Sequence, residues 1–427
     1  MKQVDFLIVG GSAAGTTAAE SISNLKPDAT IAIVTDEDHE QYSRVLLPHY
    51  VRGKVSREQV FLKKQDWYEQ RKIELIKGVS CQKLDANNKT VSLSNKENVE
   101  YGKLLIAVGG KVIPFVVTGA ESKNLLYLRT IEDADKIIET AKQSKKALII
   151  GGGFIGLEMA SSFVKNGVSD ITALVLEDFY WQGKLDSESS KVLCEVLIEN
   201  GIKIETKVAV DHFETKDGLI CAAIAKDGRR FEADMVGVGI GIRSDLAFLA
   251  DSGVKIDRGI VTNEYLETNL ADVYAAGDCA QFWDVIFERE HMLGNWANAT
   301  SQGSAVGKTM VHSLTLGQAG ERTKFETASS YSITFFDSPQ GGSCSFLGVT
   351  DEKFAEQVIV RGSVGAGKIS RIFIKKYDQV TRIVGATVIN NPMEVAPLTM
   401  AIKGQADVST HVADLGKAEF DLKTLVA

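Results

Sequence analysis

The 427-residue sequence predicts an α/β protein in which one strand–turn–helix unit occurs twice, and three observations carry that reading. First, the apolar run FLIV at 6–9 enters a cluster of small residues: Gly10, Gly11, Ser12, Ala13, Ala14 and Gly15. A helix-forming stretch, TTAAE, follows at 16–20. Gly10 lets the chain turn tightly, a small residue at 12 lets the backbone approach a diphosphate, and Gly15 lets helix and strand pack closely. The free amides and partial positive charge of the helix N-terminus then face the phosphates. Second, the pattern recurs at 146–156, KALIIGGGFIG, where Gly151, Gly153, Phe154, Ile155 and Gly156 lead into a helical stretch at 157–166. Third, each copy reaches an acid after a second apolar strand, Asp36 after 30–35 and Glu177 after 171–176, both 26 residues past the first glycine. A carboxylate there accepts both hydroxyl protons of an adenosine ribose. Glu37 stands beside Asp36, and the matched spacing favours Asp36. Two Rossmann-like domains, each binding a dinucleotide, are therefore expected.

Length and composition bound the remaining possibilities. The chain is long enough for two or three domains with ample core. Apolar residues at 44% and charged residues at 24% describe an ordinary globular protein. No apolar run reaches the roughly 18 residues that cross a membrane. The N-terminal apolar stretch runs straight into the glycine cluster, so a signal peptide is not expected. A net charge of −8 without a basic block argues against nucleic acid as a partner. The five cysteines, Cys81, Cys194, Cys221, Cys279 and Cys344, are scattered, form no CxxC pair and do not group with the six histidines. Neither a metal site nor a disulfide framework is expected, and a reducing, cytoplasmic setting is.

Downstream of the first acid, residues 42–53 read YSRVLLPHYVRG. This stretch resembles the YxRxxLPxYxxG segment of the FAD-dependent pyridine-nucleotide oxidoreductases. Within that superfamily the resemblance is to the rubredoxin-, ferredoxin- and nitrite-reductase-type flavoproteins. It implies that Arg44 and Pro48 belong to a segment opening a helix beside the isoalloxazine ring of FAD. Disulfide-reducing members carry a redox cysteine here, in CGLPY. Aligned on Leu47 and Pro48, its place falls to Val45, which removes the disulfide chemistry.

Further stretches extend the resemblance. Residues 73–94 read as short strands around an Asn87-Asn88 turn. The family's adenine-contacting strand passes near Cys81, through backbone. Residues 103–110, KLLIAVGG, resemble the strand that closes the family's FAD domain and give Ala107, Val108 and Gly109 to the cofactor site. Residues 119–135, with LRTIEDAD, resemble the linker and first helix of the NAD domain. Glu158 falls in the GxE helix of the second fingerprint, and apolar spacing over 184–200 predicts a helix on a sheet. Gly239, at the end of the strand 233–241, stands where relatives face nicotinamide. VYAAGD at 273–278 offers Gly277 for a turn and Asp278 for the ribityl hydroxyls. Trp296 and Ala297 open a helix that in relatives points at the flavin pyrimidine, where its dipole stabilises negative charge; Trp296 reads equally well as core. From about 325 the chain turns to short strands and a helix capped by Asn391 with Pro392 in its first turn, a looser likeness to the family's C-terminal domain.

The expected division is an FAD domain at 1–112 and 248–322, an NAD(P)H domain at 113–247 and a C-terminal α/β domain at 323–427. The resemblance implies hydride transfer from NADH to FAD and onward transfer to a rubredoxin- or ferredoxin-like carrier or a quinone-like acceptor. NADPH is disfavoured, because Glu177 repels a 2′-phosphate and 178–180, DFY, offers no arginine. One alternative is an NADH oxidase or coenzyme A disulfide reductase, which would need Cys279 or Cys344 to replace the missing cysteine. Another is an FAD- and NADH-binding interaction protein resembling apoptosis-inducing factor. A homodimer is among the expected assemblies. Relatives pair a lysine, at the place of His49, with a glutamate matching Glu158 beside the flavin. His49 and Glu158 are therefore the expected catalytic pair, with histidine switching charge near its usual pKa of about 6.5. The plainer reading packs His49 beneath Tyr50.

Overall fold

The computed structural model describes residues 1–312, 323–327, 330–337 and 339–426. Residues 313–322, the end of the expected second FAD segment, lie outside the described residues. The chain divides into two compact units, each built from separated stretches.

The first unit holds Met1–Val45, Arg57–Lys111 and Ile242–Ser329. Its parallel strands Ile73–Ile76, Ile31–Val34, Lys2–Val9 and Asn98–Ile106 lie side by side, with Val273–Ala275 parallel to the last. The near-continuous apolar sequence of these strands suits a sheet covered on both faces. Phe6, Leu7, Ile8, Leu104 and Leu105 are fully buried. The helices Ala13–Leu25 and Trp296–His312 share one buried cluster through Ala18, Ile22, Val306 and Met310. The expected hairpin forms, Cys81–Asp85 running antiparallel to Thr90–Leu93.

The second unit holds Leu46–Ser56, Val112–Gly241 and Ser330–Ala427. Five parallel strands run in the order Ile202–Glu205, Asp170–Leu174, Lys146–Ile150, Met235–Val238 and Leu125–Leu126. Helix Ile131–Ala141 starts with a capping box between Thr130 and Asp133, and Asp186 caps the helix Ser187–Glu199. The C-terminal region is a five-stranded antiparallel sheet, with Gly342–Gly348, Val380–Ile389 and Lys368–Tyr377 as its inner strands. Pro392 opens a single tight turn, Pro392–Glu394, before the helix Val395–Lys403. No helix among the described residues is long and apolar enough to cross a membrane.

Candidate functional site

In the first unit, Gly10 ends its strand at φ +120°, a conformation that side chains rarely adopt. A Cβ at Gly10 would fall on the carbonyl oxygen of Ala107, and one at Gly15 on the carbonyl oxygen of Gly10. The turn is thus pressed against the 107–109 segment, where Gly109 accepts a 2.7 Å hydrogen bond from Ser244 Oγ. Val108, beside it, packs on the apolar cluster of the other sheet face. Ser12 is the extended N-cap residue of helix Ala13–Leu25, and its hydroxyl does not cap the first turn. The amides of Ala13, Ala14 and Gly15 therefore have no intrahelical acceptor, and no acid stands in that turn. A glycine cradle at an uncapped, positive helix end fits a diphosphate, and so fits that part of FAD.

The strand register aligns the two acids differently from the residue count. Gly10 N donates to Val34 O, whereas Gly151 N donates to Leu174 O. One residue on, Thr35 N bonds to Ile76 O and Val175 N to Glu205 O. Position 177 therefore corresponds to Glu37, not to Asp36. The gapless count misleads because the first fingerprint helix has 13 residues and the second only 12. Asp36 is exposed and pairs with Lys111 at 2.9 Å. Glu37 is more enclosed and pairs with Arg44, whose other guanidinium nitrogen donates to Tyr42 Oη at 2.9 Å.

Gly277, at φ +82°, donates its amide to Gln302 Oε1 at 2.7 Å. Gln302 is fully buried on the helix Trp296–His312 and so fixes the turn that presents the half-buried Asp278. Sequence reading passed over this role, because glutamine in a helix carries no signature. That helix is capped: Asn298 N donates to Asn295 Oδ1 at 2.8 Å. Trp296 packs against the core cluster while Ala297 is exposed. Cys81 lies half-buried in its strand with its thiol pushed up to about 12 by burial.

The second unit repeats the first turn. Gly151 stands at φ +108°, and a Cβ there would lie 2.6 Å from Gly239 O. A Cβ at Gly156 would fall on Gly151 O. Gly239 N in turn bonds to Ile150 O at 2.8 Å, which holds the closing strand end against the turn. Gly153 is the N-cap of helix Phe154–Lys165, so the amides of Phe154, Ile155 and Gly156 meet no side-chain cap. Glu177 is exposed just past its strand; the neighbouring cation, Lys207, pairs with Asp178 at 3.1 Å.

Glu158, on the same helix, is buried and bonds to Arg52 Nη1 at 2.9 Å. Arg52 is itself buried and reaches Ser161 Oγ at 3.2 Å, and Ser161 Oγ accepts the amide of Phe336 at 2.9 Å. Among the described residues the cation on Glu158 is thus Arg52 rather than His49. Burial pushes the Glu158 carboxyl up to about 7, with Arg52 and then Lys54 pulling it back. His49 is half-buried on the short helix Leu47–Val51, which Pro48 opens. Burial lowers its pKa, the charges of Arg52 and Lys54 lower it further, and Asp337 opposes them. His49 is therefore shifted toward its neutral form. Tyr50, next to it, donates to Asp135 Oδ1 at 2.7 Å.

Residues 4–303 match the family described as pyridine nucleotide-disulphide oxidoreductase. The chain is 32% identical to a nitrite reductase [NAD(P)H] of Bacillus subtilis over 284 residues, which is 66% of this chain and 35% of that protein. It therefore spans about a third of that relative. It is 27% identical to putidaredoxin reductase of Pseudomonas putida, covering 99% of this chain and 96% of the other. The fold matches a solved ferredoxin reductase from Rhodopseudomonas palustris over the full length of both chains, with a TM-score of 0.87 at 24% identity.

Proposed function

Because the chain belongs to the pyridine nucleotide-disulphide oxidoreductases, enzymes that use FAD and NAD(P)H, we propose that it takes electrons from NADH and delivers them to a small iron–sulfur carrier protein. The observation that carries this reading is the doubled cradle: two glycine turns, each at an uncapped helix end, each followed by an acid just past the next strand. The first turn takes the diphosphate of FAD, Glu37 its adenosine ribose and Asp278 its ribityl hydroxyls. The second takes NADH, with Glu177 on the ribose. FAD when bound accepts a hydride and gives up its electrons one at a time, which joins a nicotinamide to a one-electron carrier.

This chain's residues bind and orient. Gln302 fixes the turn carrying Asp278, the Gly239 strand end backs the second turn, and Glu158 with Arg52 sets a buried charge pair in the second unit. His49 and Glu158 remain the proposed catalytic residues, with Arg52 as the permanent cation. The thiols support a route without disulfide. Val45 stands in the redox position, and Cys279 and Cys344 are buried, the first with its pKa pushed up to about 12 and the second raised as well. A thiol held protonated is a poor nucleophile. The test is NADH-driven reduction of a panel of acceptors: rubredoxin, a [2Fe–2S] ferredoxin, a quinone and a disulfide. Fast reduction of an iron–sulfur carrier is expected; turnover confined to the disulfide would sink the proposal. A cytoplasmic setting fits the free thiols.

A further inference from the structure

Trp181 holds a backbone conformation that bulky side chains rarely adopt, with φ at +61°. Such a residue persists only where its surroundings over-determine it, and such outliers gather at ligand sites. Here the surroundings are identifiable. The amides of Lys184 and Leu185 both donate to Trp181 O, at 2.9 and 3.0 Å, and Ser190 Oγ holds the preceding carbonyl of Tyr180 at 2.7 Å. The indole meets Phe346 edge-on, with centroids 5.1 Å apart, and Phe154 at 6.2 Å; Tyr331 stacks on Phe346. This clamp brings the residue against the second glycine turn. Trp181 N lies 3.3 Å from where a Cβ on Gly152 would stand, and Trp181 Nε1 lies 3.9 Å from the corresponding point on Gly153. Gly153 caps the helix whose first amides are unsatisfied by any side chain. The indole N–H thus sits beside those amides, and no hydrogen bond to it is formed among the described residues.

From this geometry we infer that Trp181 is a further dinucleotide-binding residue, its indole N–H donating to the diphosphate of NADH alongside the amides at 154–156. The inference rests on the reading of the second turn as the NADH site. An indole N–H is a neutral donor with no acceptor capacity. It grips a phosphate oxygen without adding the positive charge that would also draw a 2′-phosphate, in keeping with the exposed Glu177.

The test is calorimetric binding of NAD⁺, ADP-ribose and adenosine to the purified flavoprotein and to Trp181→Phe. Phenylalanine keeps an aromatic ring between Phe154 and Phe346 and removes the N–H. The variant is expected to bind NAD⁺ and ADP-ribose roughly 10-fold or more weakly, the loss typical of a hydrogen bond to a charged group, and adenosine, which carries no phosphate, as before. Unchanged binding of NAD⁺ and ADP-ribose overturns the inference. So does equal weakening of all three ligands, which would make Trp181 a packing residue. Wild-type protein that binds none of the three overturns the assignment of the turn itself. A measurement on the unaltered chain guards against a folding defect, since Trp181 is the one tryptophan of the second unit. ADP-ribose is expected to change tryptophan emission and adenosine to leave it alone; the reverse contradicts the inference.

Discussion

Glu158 and Arg52 lie 106 residues apart in sequence and meet at 2.9 Å inside the second unit. Removing one member of a buried pair leaves the other charge uncompensated, typically at about 3–5 kcal/mol. Glu158 has an escape, because its carboxyl titrates at about 7 in the fold against 4.5 in the unfolded chain. With the folded pKa raised, its contribution to stability is complete below pH 4.5 and is lost as pH rises through 7. Arg52→Met is therefore expected to cost about 3 kcal/mol at pH 8 and distinctly less at pH 5.5, where Glu158 takes up a proton. Urea unfolding at the two pH values checks this, and equal costs would contradict it. His49 titrates on the acid side of its ordinary 6.5. Any His49-dependent change in the rate of flavin reduction should fall below that pH and vanish in His49→Asn; a change centred above it would refute the reading. At Glu177 the expectation is nucleotide choice. Glu177→Ala should narrow the preference for NADH over NADPH in kcat/KM by roughly tenfold, about the effect of one like-charge contact. An unaltered ratio would remove Glu177 from the ribose site.

The two fingerprint helices were legible in the sequence because their turns demand backbone that only glycine supplies cheaply, at Gly10 and Gly151. The closing hairpin and the Ser187–Glu199 helix were legible for a similar reason, since local turn chemistry and periodicity fixed them. What stayed hidden depended on distance or register. Arg52 gains its meaning from a helix more than a hundred residues away. Glu37 was displaced by a single residue of helix length, which a spacing count cannot see. Gln302 and Asn295 act through hydrogen bonds that leave no pattern in the chain. The paired elements also separate the two cofactor sites experimentally. Gly15→Ala would drive a methyl group into Gly10 O, and Gly156→Ala would drive one into Gly151 O. The first variant should purify with little FAD. The second should keep its FAD and lose NADH affinity, a split read from the visible spectrum and from NAD⁺ calorimetry. Loss of FAD in both, or in neither, would contradict two independent cradles.

At the scale of the whole molecule, five free thiols accompany a chain with no cysteine in the redox position. Cys81 and Cys279 are held near 12, and burial raises Cys194 and Cys344 as well. The net charge of −8 adds a condition on the acceptor. An acidic carrier would need a locally basic landing surface, and its reduction should then slow steeply with added salt. Electron flow from NADH to FAD without a thiol relay is tested by an anaerobic titration of the purified yellow protein with NADH. One equivalent is expected to bleach the flavin without a long-wavelength thiolate–flavin band, and prior alkylation of the accessible thiols should change neither result. A protein that takes up no FAD, a flavin left oxidised by NADH, or a thiolate charge-transfer band on reduction would contradict it.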